Sequence, residues 1–173
     1  MTWIAPAVDR VDEPRVGDER TILEGYLDWH RQTLLAKCSG LTAEQLKTAS
    51  AAPSNLTLHG LVRHMTEVEH WWFTVRVHGR DPDPVYCSDA SPDGDFDDIA
   101  DADPEADFAR FVQECQASRE SVDGVSLERT FVHPRYSHEI SLRWVYVHMV
   151  EEYARHNGHA DLIRERIDGA TGA

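Results

Sequence analysis

The sequence predicts an all-α fold: a four-helix bundle with a long acidic crossover between its second and third long helices. Three observations predict it. Four segments of the 173-residue chain carry apolar residues at three- and four-residue spacing. No segment of comparable length alternates apolar and polar residues as a long half-buried strand would. Asp81 to Asp107 holds eleven acidic residues and no basic one, interrupted by Pro82, Pro84 and Pro92. The length suits a single domain, residues 1–173, with a real hydrophobic core.

The first long helix is expected from about Gly17 to Lys37, with Ile22, Tyr26, Trp29, Thr33 and Ala36 recurring along one side. Gly40 ends that region. Thr42-Ala43-Glu44-Gln45 has capping-box spacing and predicts a short helical segment. After Pro53-Ser54-Asn55, the second long helix spans about Thr57 to His78. Leu58, Leu61, Met65, Val68, Trp72 and Val75 form its apolar stripe, and Gly79 falls where a C-cap glycine belongs. The acidic segment reads as a solvated linker, because its prolines break continuous structure and the ligand register of a calcium loop is absent. Asp103-Pro104-Glu105-Ala106 reads as a helix start with Pro in the first turn. The third long helix then carries Phe108, Phe111, Val112 and Cys115 to about Val122. Residues 124–138 read as irregular or partly extended. The last long helix runs from about Ile140 to Ile167, with Leu142, Val145, Met149, Tyr153, His156, Ala160, Ile163 and Ile167 on its inner side. Gly158 inside it costs about 1 kcal/mol relative to Ala. Close approach of a neighbouring helix or a substrate would explain it; a local kink is the alternative.

Composition excludes several classes. The formal net charge is -14, and such a field repels nucleic-acid phosphates and anionic membranes. No run reaches the roughly 18 apolar residues of a membrane span. The N-terminus lacks a basic region followed by an apolar stretch, which argues against a secretory signal. Cys38, Cys87 and Cys115 form neither a CxxC pair nor a disulfide framework, so a cytoplasmic, reducing location fits best.

The chemistry concentrates in Glu151-Glu152-Tyr153-Ala154-Arg155-His156-Asn157-Gly158-His159. Glu152 and His156 are four apart, about one turn, on the same side of a helix. His64 lies on the apolar stripe of the second long helix with Leu61, Val68 and Val75. Ionisable groups turned toward a core are costly unless paired or bound to metal. His64, Glu152 and His156 are therefore the candidate metal ligands. Zinc accepts two nitrogens and an oxygen and keeps a position for water or substrate in catalytic sites; ligand type leaves nickel, iron and manganese open. His148 and His159 compete for ligand status, or act as orienting groups or proton carriers. Glu67 is placed to orient His64. His59, His70 and His78 read as surface residues. His133 and His138 flank Pro134 and Tyr136 in a loop that can close over a pocket.

Leu61-Val62-Arg63-His64-Met65-Thr66-Glu67-Val68-Glu69-His70-Trp71-Trp72, together with Glu152-Tyr153-Ala154-Arg155-His156-Asn157-Gly158-His159-Ala160-Asp161-Leu162, resembles the DinB-like superfamily. The nearest branch is that of actinobacterial members close to the mycothiol-dependent maleylpyruvate isomerases. The resemblance covers roughly Gly17 to Ile167. It implies a four-helix bundle of DinB/YfiT-like type that holds a divalent metal near one end. One ligand comes from the second long helix, similar to His64, and two come from the last helix, four apart. The second of that pair matches His156. Many members have His at the first, where this chain has Glu152, as the isomerase branch does. Where many have Gln near the end of the motif, this chain has His159.

The resemblance also implies thiol chemistry. Members of known activity are often transferases or isomerases that use mycothiol or bacillithiol, with a metal-bound thiolate as nucleophile toward a small electrophile, and the resemblance points to a homodimer. The leading expectation is thus a metal-dependent, mycothiol-type S-transferase or isomerase. A metal-dependent hydrolase using metal-bound water is the second, with Glu67 or His159 as the catalytic proton carrier. A non-catalytic, metal-stabilised binding bundle is the third.

Overall fold

The computed structural model describes residues 3–80, 83–132 and 137–172. The chain is mostly helical. In order, its elements are α1 (Glu19–Cys38), α2 (Ala43–Leu46), α3 (Leu58–Glu69) with a π-helical continuation (His70–Arg76), α4 (Gly94–Asp97), α5 (Pro104–Ser121), β1 (Thr130–Val132), β2 (Glu139–Ser141) and α6 (Leu142–Asp168).

The helix ends follow from local chemistry. Asp18 caps α1 by accepting from the Thr21 amide at 2.8 Å. Thr42 and Gln45 form the expected reciprocal capping box on α2, at 3.0 and 3.3 Å. Asp103 caps α5, and Pro104 occupies its first turn, where a missing N–H costs nothing. Ser141 caps α6, and Gly169 closes it at φ 78°, a left-handed conformation that suits glycine. Gly79 likewise ends the π-helical continuation of α3 with φ 61°. The expected extent of the second long helix holds, but its last two turns are π-helical.

α1 runs along α6, and α3 runs along α5; α3 also meets α6 and α1. Leu34, Leu61, Met65, Leu142, Met149 and Tyr153 are fully buried in the shared core. Burying each such side chain stabilises the fold by about 1.5–3 kcal/mol. The expected stripes of the second and last long helices face this core, with Val68 and Ile167 at its margin. The first helix is turned differently from expectation. Tyr26 is 42% exposed, while Leu27, Arg31, Leu34 and Cys38 face inward. Arg31 disguises that stripe in the sequence. It is tolerated inside because its Nε and Nη2 donate to both oxygens of the fully buried Glu69 at 2.7 Å.

The acidic crossover is only partly the solvated linker that composition suggests. Asp89, Asp93, Asp97, Asp98 and Asp101 are exposed, as expected. Gly94, Asp95 and Asp107 are buried, and α4 packs against α3. Gly60 lets this happen: a Cβ there would come within 3.1 Å of the Phe96 ring. Two α3 side chains pin the segment. Glu67 accepts the amides of Val85 and Tyr86 at 2.9 and 2.7 Å, and Arg63 donates to the carbonyls of Gly94 and Asp95 at 3.0 and 3.1 Å. Composition counts charges and prolines; it does not show which carboxylates meet a cation.

Residues 124–138 include half of a small antiparallel pair, β1 against β2, with Phe131 opposite Ile140. His133, Pro134 and Tyr136, invoked for a closing loop, lie outside the described residues. Two histidines read as surface groups are not. His59 is fully buried with Nε2 2.7 Å from Asp107 Oδ2, and the largely buried His70 ring pairs with Glu114 at 3.0 Å. Carboxylates of α5 draw both rings inward. His78 is exposed as expected.

Candidate metal centre

His64 projects from α3, and Glu152 and His156 project from successive turns of α6. Among the described residues these three form a convergent donor group, with one donor atom from each lying within 4.8 Å of the others. Glu152 Oε2 is 3.5 Å from His156 Nε2. The His64 and His156 rings meet edge-on, with centroids 4.7 Å apart. Tetrahedral ligands at ~2.0–2.1 Å from zinc sit roughly 3.4 Å from one another. The 4.8 Å bound and the 3.5 Å Glu152–His156 separation are within about 1.5 Å of that spacing.

The protonation state fits metal binding. His156 is 8% exposed, and its pKa is pushed down to about 4, first by burial and then by the neighbouring His64, His159 and Arg155. At neutral pH it presents a free lone pair. Two imidazoles and one carboxylate form a donor set that zinc, nickel, iron and manganese accept. The residues present fit a divalent cation.

The competing histidines flank this triad and stand outside the convergent group. His159 Nδ1 is 3.4 Å from His156 Nδ1, on the side of the ring away from Glu152. His148 Nε2 is 3.8 Å from the other Glu152 oxygen. Its ring stacks on Trp144 at 4.8 Å and meets Trp72 edge-on at 4.9 Å. Glu67 does not hold His64 as expected, because its carboxylate is taken up by crossover amides. The carboxylate on His64 is Asp95, whose Oδ2 lies 2.7 Å from His64 Nδ1. Phe96 stacks on the same ring at 4.7 Å. Sequence reasoning missed both residues. The one faint signal was an aromatic residue inside an otherwise acidic stretch.

Beside His64 lies a cavity of about 330 Å³ lined by Val68, Trp71, Trp72, Cys87 and Phe96, among others. Its walls are mainly apolar. Cys87 is the one cysteine there, and its thiol is pushed up to about 11, first by burial and also by the Asp95 and Glu67 carboxylates. Burial pushes Cys38 and Cys115 up to about 12. Burial thus holds all three thiols above the ordinary cysteine value.

A buried polar chain backs the site. Tyr153, next to Glu152, donates to Glu69 at 2.7 Å, and Glu69 holds Arg31 of α1. Asn157, next to His156, donates to the His30 carbonyl at 3.1 Å. Both contacts fix the rotation of α6 and hence the aim of Glu152 and His156.

No curated protein and no solved structure matches the chain. A family model described as mycothiol-S-transferase matches residues 22–169, a span that contains all three convergent donors. The match covers most of the 173 residues. The chain belongs to the mycothiol-S-transferase family, within the DinB-like actinobacterial group.

Proposed function

We propose that this protein is a metal-dependent S-transferase that joins a low-molecular-weight thiol of the mycothiol type to a small electrophile. The observation that carries this reading is the convergence of His64, Glu152 and His156 within 4.8 Å beside a largely apolar cavity. In this reading the four long helices form a bundle of DinB/YfiT-like type, and the protein works in the cytoplasm as a homodimer. Zinc is the first candidate metal. A divalent cation in the triad would supply the positive charge that favours a thiolate at neutral pH.

The chain's own residues do the rest. His64, Glu152 and His156 bind and orient the ion. Val68, Trp71 and Phe96 exclude water from the cavity and take the apolar part of the electrophile. The thiol proton leaves through solvent to the partly exposed His159, which lies behind the His156 ring and hands it on to bulk water. Sulfur then bonds to the electrophilic carbon, and the displaced group leaves with the carbon–leaving-group electron pair. Glu67 accepts two loop amides and so holds the crossover instead of carrying a proton.

Elemental analysis and thiol-dependent turnover test the reading together. The wild type should carry about one equivalent of metal, and His156→Ala should lose most of it. Turnover of an electrophile panel should require added mycothiol. Stoichiometric metal in His156→Ala would overturn the ligand assignment. Hydrolysis of ester or amide panels without thiol would overturn the transferase reading in favour of a hydrolase.

A further inference from the structure

We infer that Asp95 of the acidic crossover is a positioning residue for His64: it fixes the ring so that Nε2 faces the metal and couples metal binding to docking of the crossover. The inference rests on the metal reading above.

The geometry is direct. Asp95 Oδ2 lies 2.7 Å from His64 Nδ1, and the Asp95 side chain is 5% exposed. A carboxylate accepts, so the ring donates from Nδ1, and in that tautomer of the neutral ring the lone pair lies on Nε2. That tautomer is the one an Nε2 ligand needs, and a hydrogen-bonded carboxylate also raises the ligand's basicity. Phe96, the next residue, stacks on the His64 ring at 4.7 Å and limits its rotation.

Asp95 reaches His64 only because the crossover is docked. Arg63 grips the carbonyls of Gly94 and Asp95, and its Nη1 donates to Asp107 at 3.0 Å. The Tyr86 hydroxyl donates to the other Asp107 oxygen at 2.9 Å. Glu67 anchors the earlier part of the segment through Val85 and Tyr86. His64 thus links the ion to a segment far from it in sequence. A ligand that favours one state of such a segment must itself be favoured by that state, because the coupling is reciprocal. Metal should order the crossover, and loosening the crossover should weaken metal.

Zinc affinity by chelator competition tests the coupling, on the full chain with zinc as the only added probe. Asp95→Ala should bind zinc ~10–100-fold more weakly. Asp95→Asn, which keeps an acceptor for Nδ1–H and the same shape, should lie closer to wild type. Glu67→Gln, which weakens an anchor without touching His64, should give a smaller loss of the same sign. The nitrogen chemical shifts of His64 should report the Nδ1–H form in metal-free wild type and Asp95→Asn, and lose that preference in Asp95→Ala. Zinc should slow amide exchange across residues 83–98 in wild type and not in Asp95→Ala. Failure of the wild type to bind zinc would overturn the metal reading and this inference with it. Tight zinc binding by wild type, with Asp95→Ala and Asp95→Asn both unchanged in affinity, would overturn this inference alone.

Discussion

The Tyr153 hydroxyl donates to Glu69 at 2.7 Å and so ties α6, which carries Glu152 and His156, to α3, which carries His64. Glu69 is fully buried, and Arg31 is its counter-ion. Removing the carboxylate leaves the buried Arg31 with only the partly buried Asp28, 2.7 Å from its Nη1, as counter-ion, so the loss approaches but should stay below the ~3–5 kcal/mol of a fully stranded buried charge. Glu69→Ala should therefore lower the denaturant midpoint sharply. Tyr153→Phe deletes only the hydroxyl and should cost on the order of 1–3 kcal/mol. Equal stability of Tyr153→Phe and wild type in urea unfolding would remove this bond from the account.

Gly158 behaves oppositely. The expectation that it admits a neighbouring helix does not hold, because a Cβ built there meets nothing of the chain within 4 Å. The position is exposed and helical. Gly158→Ala should stabilise the protein by about 0.5–1 kcal/mol through lower helix cost and a less flexible unfolded chain. A rise in thermal midpoint with unchanged metal content is the expected measurement.

Asp107 sets part of the acid sensitivity. Burial alone raises its carboxyl, but hydrogen bonds from His59, Arg63 and Tyr86 outweigh that and hold it below its ordinary value. The folded state thus binds this proton more weakly than the unfolded state. Its stabilisation is complete above the ordinary carboxylate pKa of about 3.9 and is lost as pH falls through the lower folded value. Asp107→Asn should lower stability at neutral pH by on the order of 1–3 kcal/mol and flatten the acid limb. Urea titrations from about pH 7 down to about pH 2 read both effects; parallel curves for the two proteins would contradict the assignment.

The cysteines should be poor nucleophiles. Cys38 and Cys115 are buried, and all three thiols are pushed well above neutrality. A thiol reagent at about pH 7.5 should label Cys87 slowly and the other two only on unfolding. Rapid labelling of Cys87 in the native protein would mean that its surroundings differ from those described.

What was legible in the sequence, and what was not, divides by range. α3 and α6 announce themselves because their apolar positions repeat locally, and the caps at Thr42, Asp103 and Gly79 act within one turn. His64, Glu152 and His156 were legible because charge on an apolar stripe needs a reason. α1 was misjudged because its inner stripe runs through Arg31, and the residue that makes Arg31 acceptable lies 38 positions away in sequence. His59 and His70 looked peripheral for the same reason: their partners, Asp107 and Glu114, belong to another helix. Asp95 was invisible among eleven acids, since nothing in composition separates the one carboxylate that turns inward from its solvated neighbours.

The π-helical stretch from His70 to Arg76 bears on how this chain tolerates change in length. A wide turn holds a residue that an ordinary turn would not, so the segment stores one position of slack. Deleting a residue there can relax it to ordinary helix while keeping the upstream and downstream faces in phase. The same deletion within Leu58–Glu69 would rotate everything after it by about a hundred degrees, given 3.6 residues per turn, and scramble the face that holds His64. Single-residue gaps among relatives should therefore cluster after Glu69 and be rare before it.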